Sequence, residues 1–150
     1  MIAALESGKI ASYATDFPTS KLANTKGVVA FPHLGASTVE SEDNCAVMAV
    51  NELMDYVENG NIRNSVNFPA CDLGVCRVAG RIAVLHKNVP NIISGLTTAF
   101  GAAGINIEKM INQSRGEYAY SLLDVGKENA VDIAREIESK DGIIKVRVIK

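Results

Sequence analysis

The sequence contains no tryptophan, and only 5% of its residues are aromatic. A core must therefore be built mainly from Ile, Val, Leu and Ala, which the 47% apolar content supplies. There is no run of Lys or Arg, and the formal net charge is −2. Nucleic acid is met through a basic stripe that neutralises phosphates, so no nucleic-acid partner is expected. No apolar stretch approaches the roughly 20 residues that cross a bilayer, and no membrane role is expected. The N-terminus, MIAALESGKIASY, lacks the basic start, long apolar core and small-residue cleavage site of a secretory signal. The three cysteines, Cys45, Cys71 and Cys76, form no CxxC pair and leave an odd count. They read as reduced structural thiols, in keeping with a cytoplasmic protein. Two histidines without clustered thiols make no case for a metal site.

What is present has a clear order. MIAALESGKI reads as the last turns of a helix stopped at Gly8. IASYAT and Val28–Phe31 read as short strands, with a turn at Asp16-Phe17-Pro18-Thr19 between them. Nothing downstream offers these strands a partner, and two short strands make a poor sheet. Ser37-Thr38-Val39-Glu40 fits a capping box, followed by Ala46, Val50, Leu53 and Val57 on one helical face, up to Gly60. Glu40, Glu42 and Asp43 cluster where the helix dipole favours acids. NGNIRNSVNFP, residues 59–69, is a polar connector and a domain boundary. Beyond it, strand, helix, strand, strand, helix and strand follow one another. Gly80, Ile82, Val84 and His86 share one face of the first strand, and Pro90 suits the first position of a helix ending at Gly104. Ser114–Glu117 turns a hairpin into Tyr118–Val125. Ala130, Ile133, Ala134 and Ile137 mark the second helix, and Ile144, Val146 and Val148 alternate in the last strand. This βαββαβ order predicts a ferredoxin-like α+β domain with two helices on one face of a four-stranded antiparallel sheet. Lys109, Arg115, Lys127 and Arg147 read as scattered solvated charges, and Tyr118 and Tyr120 as packing residues.

Residues 32–69, PHLGASTVESEDNCAVMAVNELMDYVENGNIRNSVNFP, resemble the end of the catalytic portion of the D-3-phosphoglycerate dehydrogenases. These are NAD-dependent 2-hydroxyacid dehydrogenases that open serine synthesis. The βαββαβ part resembles the ACT regulatory domain that closes many of those chains. The resemblance implies residues 1–70 as a remnant of the dehydrogenase's substrate and NAD domains and residues 71–150 as the ACT domain. Complete members carry a G-x-G-x-x-G fingerprint on a Rossmann domain, and this sequence has none. The chain is therefore expected to be a C-terminal piece, inactive alone and binding no NAD by itself, with NAD serving the complete enzyme.

The resemblance also assigns sites. His33 of the PHLG motif is the histidine that takes the hydroxyl proton of the 2-hydroxy acid, a role suited to a group titrating near neutrality and dormant in this piece. From spacing alone, a histidine held in a turn by a carbonyl is the plainer reading. The family glutamate that pairs with this histidine is missing, because the matching place reads Asp16-Phe17-Pro18-Thr19-Ser20. Asp16 matches an aspartate near the nicotinamide amide. His86, Asn88 and Asn106 match the histidine and two asparagines that bind the feedback effector L-serine, near the contact between two ACT domains, which implies a homodimer. Against this stand turn-capping roles for the asparagines. The usual Pro-Gly step is Pro90-Asn91 here, and asparagine tolerates positive φ. A freestanding amino-acid sensor or dimerisation module is the alternative to an enzyme's regulatory part.

Overall fold

The computed structural model describes residues 1–126 and 130–150, which fall into two compact units, Met1–Ala46 and Val47–Lys150. The first unit opens with α1 (Ile2–Glu6), closed by Gly8 at φ 70°. β1 (Tyr13–Thr15) and β2 (Val28–Ala30) follow, with a one-turn α2 (Ser20–Ala23) between them. The sequence offered these strands no partner; they pair with each other, in parallel, with Tyr13 beside Val28. The connection between them is about the dozen residues that a parallel crossover needs. Thr19 starts α2, its Oγ1 accepting from the Leu22 N–H at 3.2 Å. Thr15 is the one residue of positions 1–46 that is buried, so this unit has almost no core of its own.

The division between the units falls inside α3 (Val39–Asn59). The capping box is shifted by one residue from its sequence reading. Thr38, not Ser37, is the cap: its Oγ1 accepts from Ser41 N–H at 3.1 Å and its carbonyl from Glu42 N–H at 2.9 Å. Ser37 instead donates its N–H to the Leu34 carbonyl in the turn before. The apolar stripe is present, but Val50, Leu53 and Val57 are exposed and α3 buries no residue.

The second unit contains β3 (Gly80–Lys87), α4 (Ile92–Ala102), β4 (Ile107–Arg115), β5 (Tyr118–Val125), α5 (Val131–Glu138) and β6 (Ile143–Val148). The strands lie in the order β4-β5-β3-β6, and every neighbouring pair is antiparallel. This is the ferredoxin-like arrangement that the sequence predicted. Ile82, Val84, Leu123 and Val125 pack on Leu96, Phe100, Ile133 and Ile137 in the main core. Two starts and stops are set locally. Asn91 takes φ 69° as the cap of α4, so Pro90 lies before the cap and not at the first helical position. Positive φ cannot continue into a helix, and asparagine here does what glycine does in a Pro-Gly step. At the other end Ile105 N–H reaches the Phe100 carbonyl and Gly104 N–H the Gly101 carbonyl, a Schellman closure.

The opposite face of the sheet is not left to solvent. Residues 59–74, the polar connector and the residues after it, lie across it as a strap. Ile62 and Cys71 form an antiparallel bridge with each other and pack on Ala83, Tyr120 and Leu122, with Tyr56, Phe68 and Leu73 around them. The strap is fixed by polar contacts. Tyr120 donates its hydroxyl to the Gly60 carbonyl at 2.7 Å. The Arg81 guanidinium, 1% exposed, makes a two-pronged contact with Asp124 and also donates to the carbonyls of Asn59, Leu73 and Gly74. Just before the strap, at the end of α3, Arg147 lies 4.4 Å over the Tyr56 ring and donates to the Tyr56 and Val57 carbonyls. Arg115, which donates to the Ser65 and Val66 carbonyls, and Arg147, both read as solvated surface charges, are therefore clamps, and Lys127 falls outside the described residues.

Gly60 joins α3 to the strap at φ 75°, and a Cβ there would stand 2.9 Å from Leu122 Cδ2 and 3.3 Å from Ile149. Gly60→Ala is expected to lower stability by about 1–3 kcal/mol, from positive φ and overpacking together. Urea denaturation followed by tyrosine fluorescence measures it, and an unchanged midpoint would contradict the steric argument.

Candidate functional site

In the first unit, His33 and Asp16 meet. His33 follows β2 and Asp16 follows β1, and the parallel register that sets Thr15 beside Ala30 brings both strand ends to one edge. His33 Nδ1 lies 2.5 Å from Asp16 Oδ2. A carboxylate only accepts, so Nδ1 carries a proton, and in the neutral form of the ring Nε2 keeps its lone pair. The Phe17 ring lies 4.3 Å from the imidazole, centroid to centroid, and supports it from one side. An imidazole oriented at Nδ1, with Nε2 open in an exposed position, has the geometry of a general base. The carboxylate beside His33 in this unit is thus that of Asp16. Residues 1–46 contain no arginine that could clamp a substrate carboxylate.

In the second unit, the end of β3 carries His86 and the loop after it Asn88. His86 is 2% exposed and all its polar atoms are engaged. Nδ1 donates to the Lys87 carbonyl at 2.8 Å, and Nε2 lies 3.0 Å from both Ser121 Oγ and Asn112 Oδ1. Ser121 Oγ donates to Asn112 Oδ1 at 2.7 Å. The register explains the cluster: His86 pairs with Ala119 and Ser121 with Asn112, and all three polar side chains stand on the helix-covered face. Asn88 is exposed and ties the loop to the β4–β5 hairpin, donating from Nδ2 to the Gly116 carbonyl at 3.1 Å and from its backbone to Glu117 at 2.8 Å.

Asn106 does not join them within one chain. It precedes β4, whose first residue pairs with Val125, and its carbonyl accepts from Gly126 N–H. His86 sits opposite Ala119, so the two lie at opposite ends of β5, about 20 Å apart at a strand's rise per residue. The expectation that these segments are neighbours is corrected by the antiparallel hairpin, which carries the start of β4 away from the end of β3. Asn112 and Ser121 were missed in the sequence. Their signal was alternation: each sits where an apolar residue would continue the inward rows of Met110 and Leu123.

Among the described residues, no helix is long and apolar enough to cross a membrane. No family model matches the chain. Curated relatives do. The D-3-phosphoglycerate dehydrogenase of Haemophilus influenzae is 30% identical over 97% of this chain and 38% of its own length. That of Escherichia coli K12 is 27% identical over 87% of this chain and 32% of its own. D-3-phosphoglycerate dehydrogenase 2 of Saccharomyces cerevisiae is 28% identical over 87% and 29%. The chain thus spans roughly a third of the length of these relatives. Among solved structures, the ACT domain from GTP pyrophosphokinase of Chlorobium tepidum aligns with a TM-score of 0.42 at 11% identity, over 46% of this chain and 94% of that one. The regulatory subunit of aspartate kinase from Thermus thermophilus aligns with a TM-score of 0.41 at 15% identity, over 49% and 52%. The chain is a relative of the D-3-phosphoglycerate dehydrogenases over nearly its whole length, matching a part of them, and its second unit has the βαββαβ fold that its resemblance to an ACT domain implied.

Proposed function

We propose that this chain is the C-terminal, regulatory part of an NAD-dependent D-3-phosphoglycerate dehydrogenase of the cytoplasm, with the end of the substrate-binding part attached. Residues 1–70 belong to the substrate-binding remnant and residues 71–150 form the ACT domain. The observation that carries this reading is the match to enzymes of that name along 97% of the chain. In the complete enzyme, His33 Nε2 takes the proton of the substrate hydroxyl while Asp16 holds the imidazole by Nδ1. The residues present do not fit the dinucleotide: there is no glycine fingerprint, and Asp16, which matched an aspartate near the nicotinamide, is engaged by His33. NAD therefore serves the complete enzyme from residues outside these 150. The chain alone is expected to show no NAD-dependent oxidation of 3-phosphoglycerate, and measurable turnover in a coupled absorbance assay would overturn this.

The ACT unit binds L-serine between two copies. β4 is an edge strand with unpaired backbone groups. Antiparallel pairing of two β4 strands about Ile111, the middle residue, sets Asn106 of one copy opposite Gly116 of the other, whose carbonyl Asn88 holds. Asn88 of one copy and Asn106 of the second then flank one site, with His86, held by Asn112 and Ser121, at its back. Asparagines both donate and accept, which suits an ammonium and a carboxylate on one carbon. L-serine at a hundred times its Kd is expected to stabilise the dimer by about 3 kcal/mol, a rise in Tm of several degrees. Asn88→Ala and Asn106→Ala should each abolish the rise. No shift with L-serine in the wild-type chain, or a monomer by light scattering in its presence, would defeat the reading.

A freestanding amino-acid-sensing or dimerisation module is the second reading. It is favoured by the closed two-faced core of the second unit. A reading frame upstream of Met1 encoding a G-x-G-x-x-G strand–helix turn would decide for the enzyme.

A further inference from the structure

The effector loop, the hairpin and the strap are joined by one continuous line of hydrogen bonds. Asn88 holds the hairpin at Gly116 and Glu117. The adjoining residue, Arg115, turns to the opposite face of the sheet. Its Nη1 donates to the Ser65 carbonyl at 2.9 Å and the Val66 carbonyl at 3.2 Å. Next to them Asn64, at φ 49°, donates from Nδ2 to Glu52 on α3 at 2.5 Å. Arg115 has no carboxylate partner among the described residues, so the two strap carbonyls are its hold. The sheet's other side-chain bonds to the strap, at Arg81 and Tyr120, are buried, and Arg81 lies at the far end of β3 from the loop. Among the side chains by which the sheet holds the strap, Arg115 is an exposed one, and it adjoins the hairpin that Asn88 touches.

We propose that Arg115 is a coupling residue: occupation of the amino-acid site fixes the β4–β5 hairpin, and Arg115 transmits this as a tighter hold on residues 64–66 and, through Asn64–Glu52, on α3. The inference rests on the proposed amino-acid site. Its physical basis is a strap with two states, seated or lifted at its exposed end, whose balance the hairpin biases. A seated end keeps the Ser65 and Val66 carbonyls and Asn64 at fixed distances, while a lifted end frees the C-terminal half of α3 from one of its ties. A ligand shifts such a balance only by binding one state better, so L-serine must favour the state in which Asn88 holds the hairpin at Gly116.

Hydrogen exchange of the 150-residue chain, read by mass spectrometry with and without L-serine, tests it. In the wild type, saturating L-serine should slow exchange of the amides of residues 61–68 at least threefold. Arg115→Ala should lose that slowing while its L-serine affinity by calorimetry stays within about twofold, and Arg115→Lys should restore part of it. Urea denaturation of Arg115→Ala checks that the unit remains folded, as expected for an exposed residue. Binding of L-serine without slowing at 61–68, or slowing that persists in Arg115→Ala, overturns the coupling and leaves the site standing. Absence of L-serine binding to the wild type overturns both.

Discussion

Arg81→Ala is expected to destabilise the second unit by about 3–5 kcal/mol, enough to unfold a large share of a domain of ordinary stability. The reason is geometric. Arg81 and Asp124 lie on β3 and β5, directly across the ladder, with both side chains under the strap and almost wholly out of solvent. Burial works against the Arg81 charge, but the hydrogen bonds and charge of Asp124 outweigh it, so the guanidinium is held above its ordinary pKa. Truncation leaves a buried carboxylate alone and unties three strap carbonyls. Urea unfolding followed by tyrosine fluorescence measures the loss. The double variant Arg81→Met, Asp124→Leu separates the two parts. It removes the orphaned charge, so the pair's share should be recovered, but Asn59, Leu73 and Gly74 still lack their donor. Full recovery would mean that the strap carbonyls contribute nothing, and no loss in Arg81→Ala would mean that the pair is not buried in solution.

The second large effect is alkaline. Burial, with the nearby Asp72 charge adding to it, pushes the Cys71 thiol up to about 11. In the unfolded chain a thiol ionises near 8.5. Between those values the native state keeps a proton that the unfolded state has lost, so stability falls as pH rises from about 8.5 to 11. The whole fall is about 3 kcal/mol by linkage. Tyr120, pushed up chiefly by burial, adds to the loss at still higher pH. Urea midpoints between pH 8 and pH 11 should decline steeply in the wild type and less in Cys71→Ala, whatever that variant costs at neutral pH. An equal slope in both would refute the assignment. In the same range Cys45, which is exposed, should react with a maleimide in the native chain while Cys71 does not.

The alternation of β5 shows where sequence reading stopped. Residues 118–125, YAYSLLDV, carry apolar residues on both faces, and buried side chains stand on both. Strands covered on both sides read as continuous apolar runs. The run was legible, yet its second cover was not, because residues 59–74 are rich in Asn, Gly and Asp and look like a solvated connector. Their polar side chains face α3 and the strap's own backbone, as Asn61 does with Asp55 on α3 and with Gly74 and Leu73, and so the few apolar ones, Ile62, Phe68 and Cys71, reach the sheet. Arg81 and Asp124 were illegible for the same reason: on a face presumed wet, a charge needs no partner.

The candidate sites divide along a similar line. The PHLG motif marked His33, but its partner depends on a parallel pairing of two three-residue strands that no periodicity announces. His86 and Asn88 were marked by the family resemblance, at the end of the first strand of the βαββαβ unit and in the loop after it. Their separation from Asn106 follows from hairpin register, which a local pattern does not carry.

Element types, their order, the αL position at Asn91 and the stop at Gly104 were written in residue chemistry, because each depends on neighbours within one turn or one strand. Which face of the sheet is covered, which charge is buried and which polar groups meet were decided by contacts between residues 20 to 90 positions apart. Those contacts are selected by the shared burial of many side chains, and no single stretch of the chain encodes them.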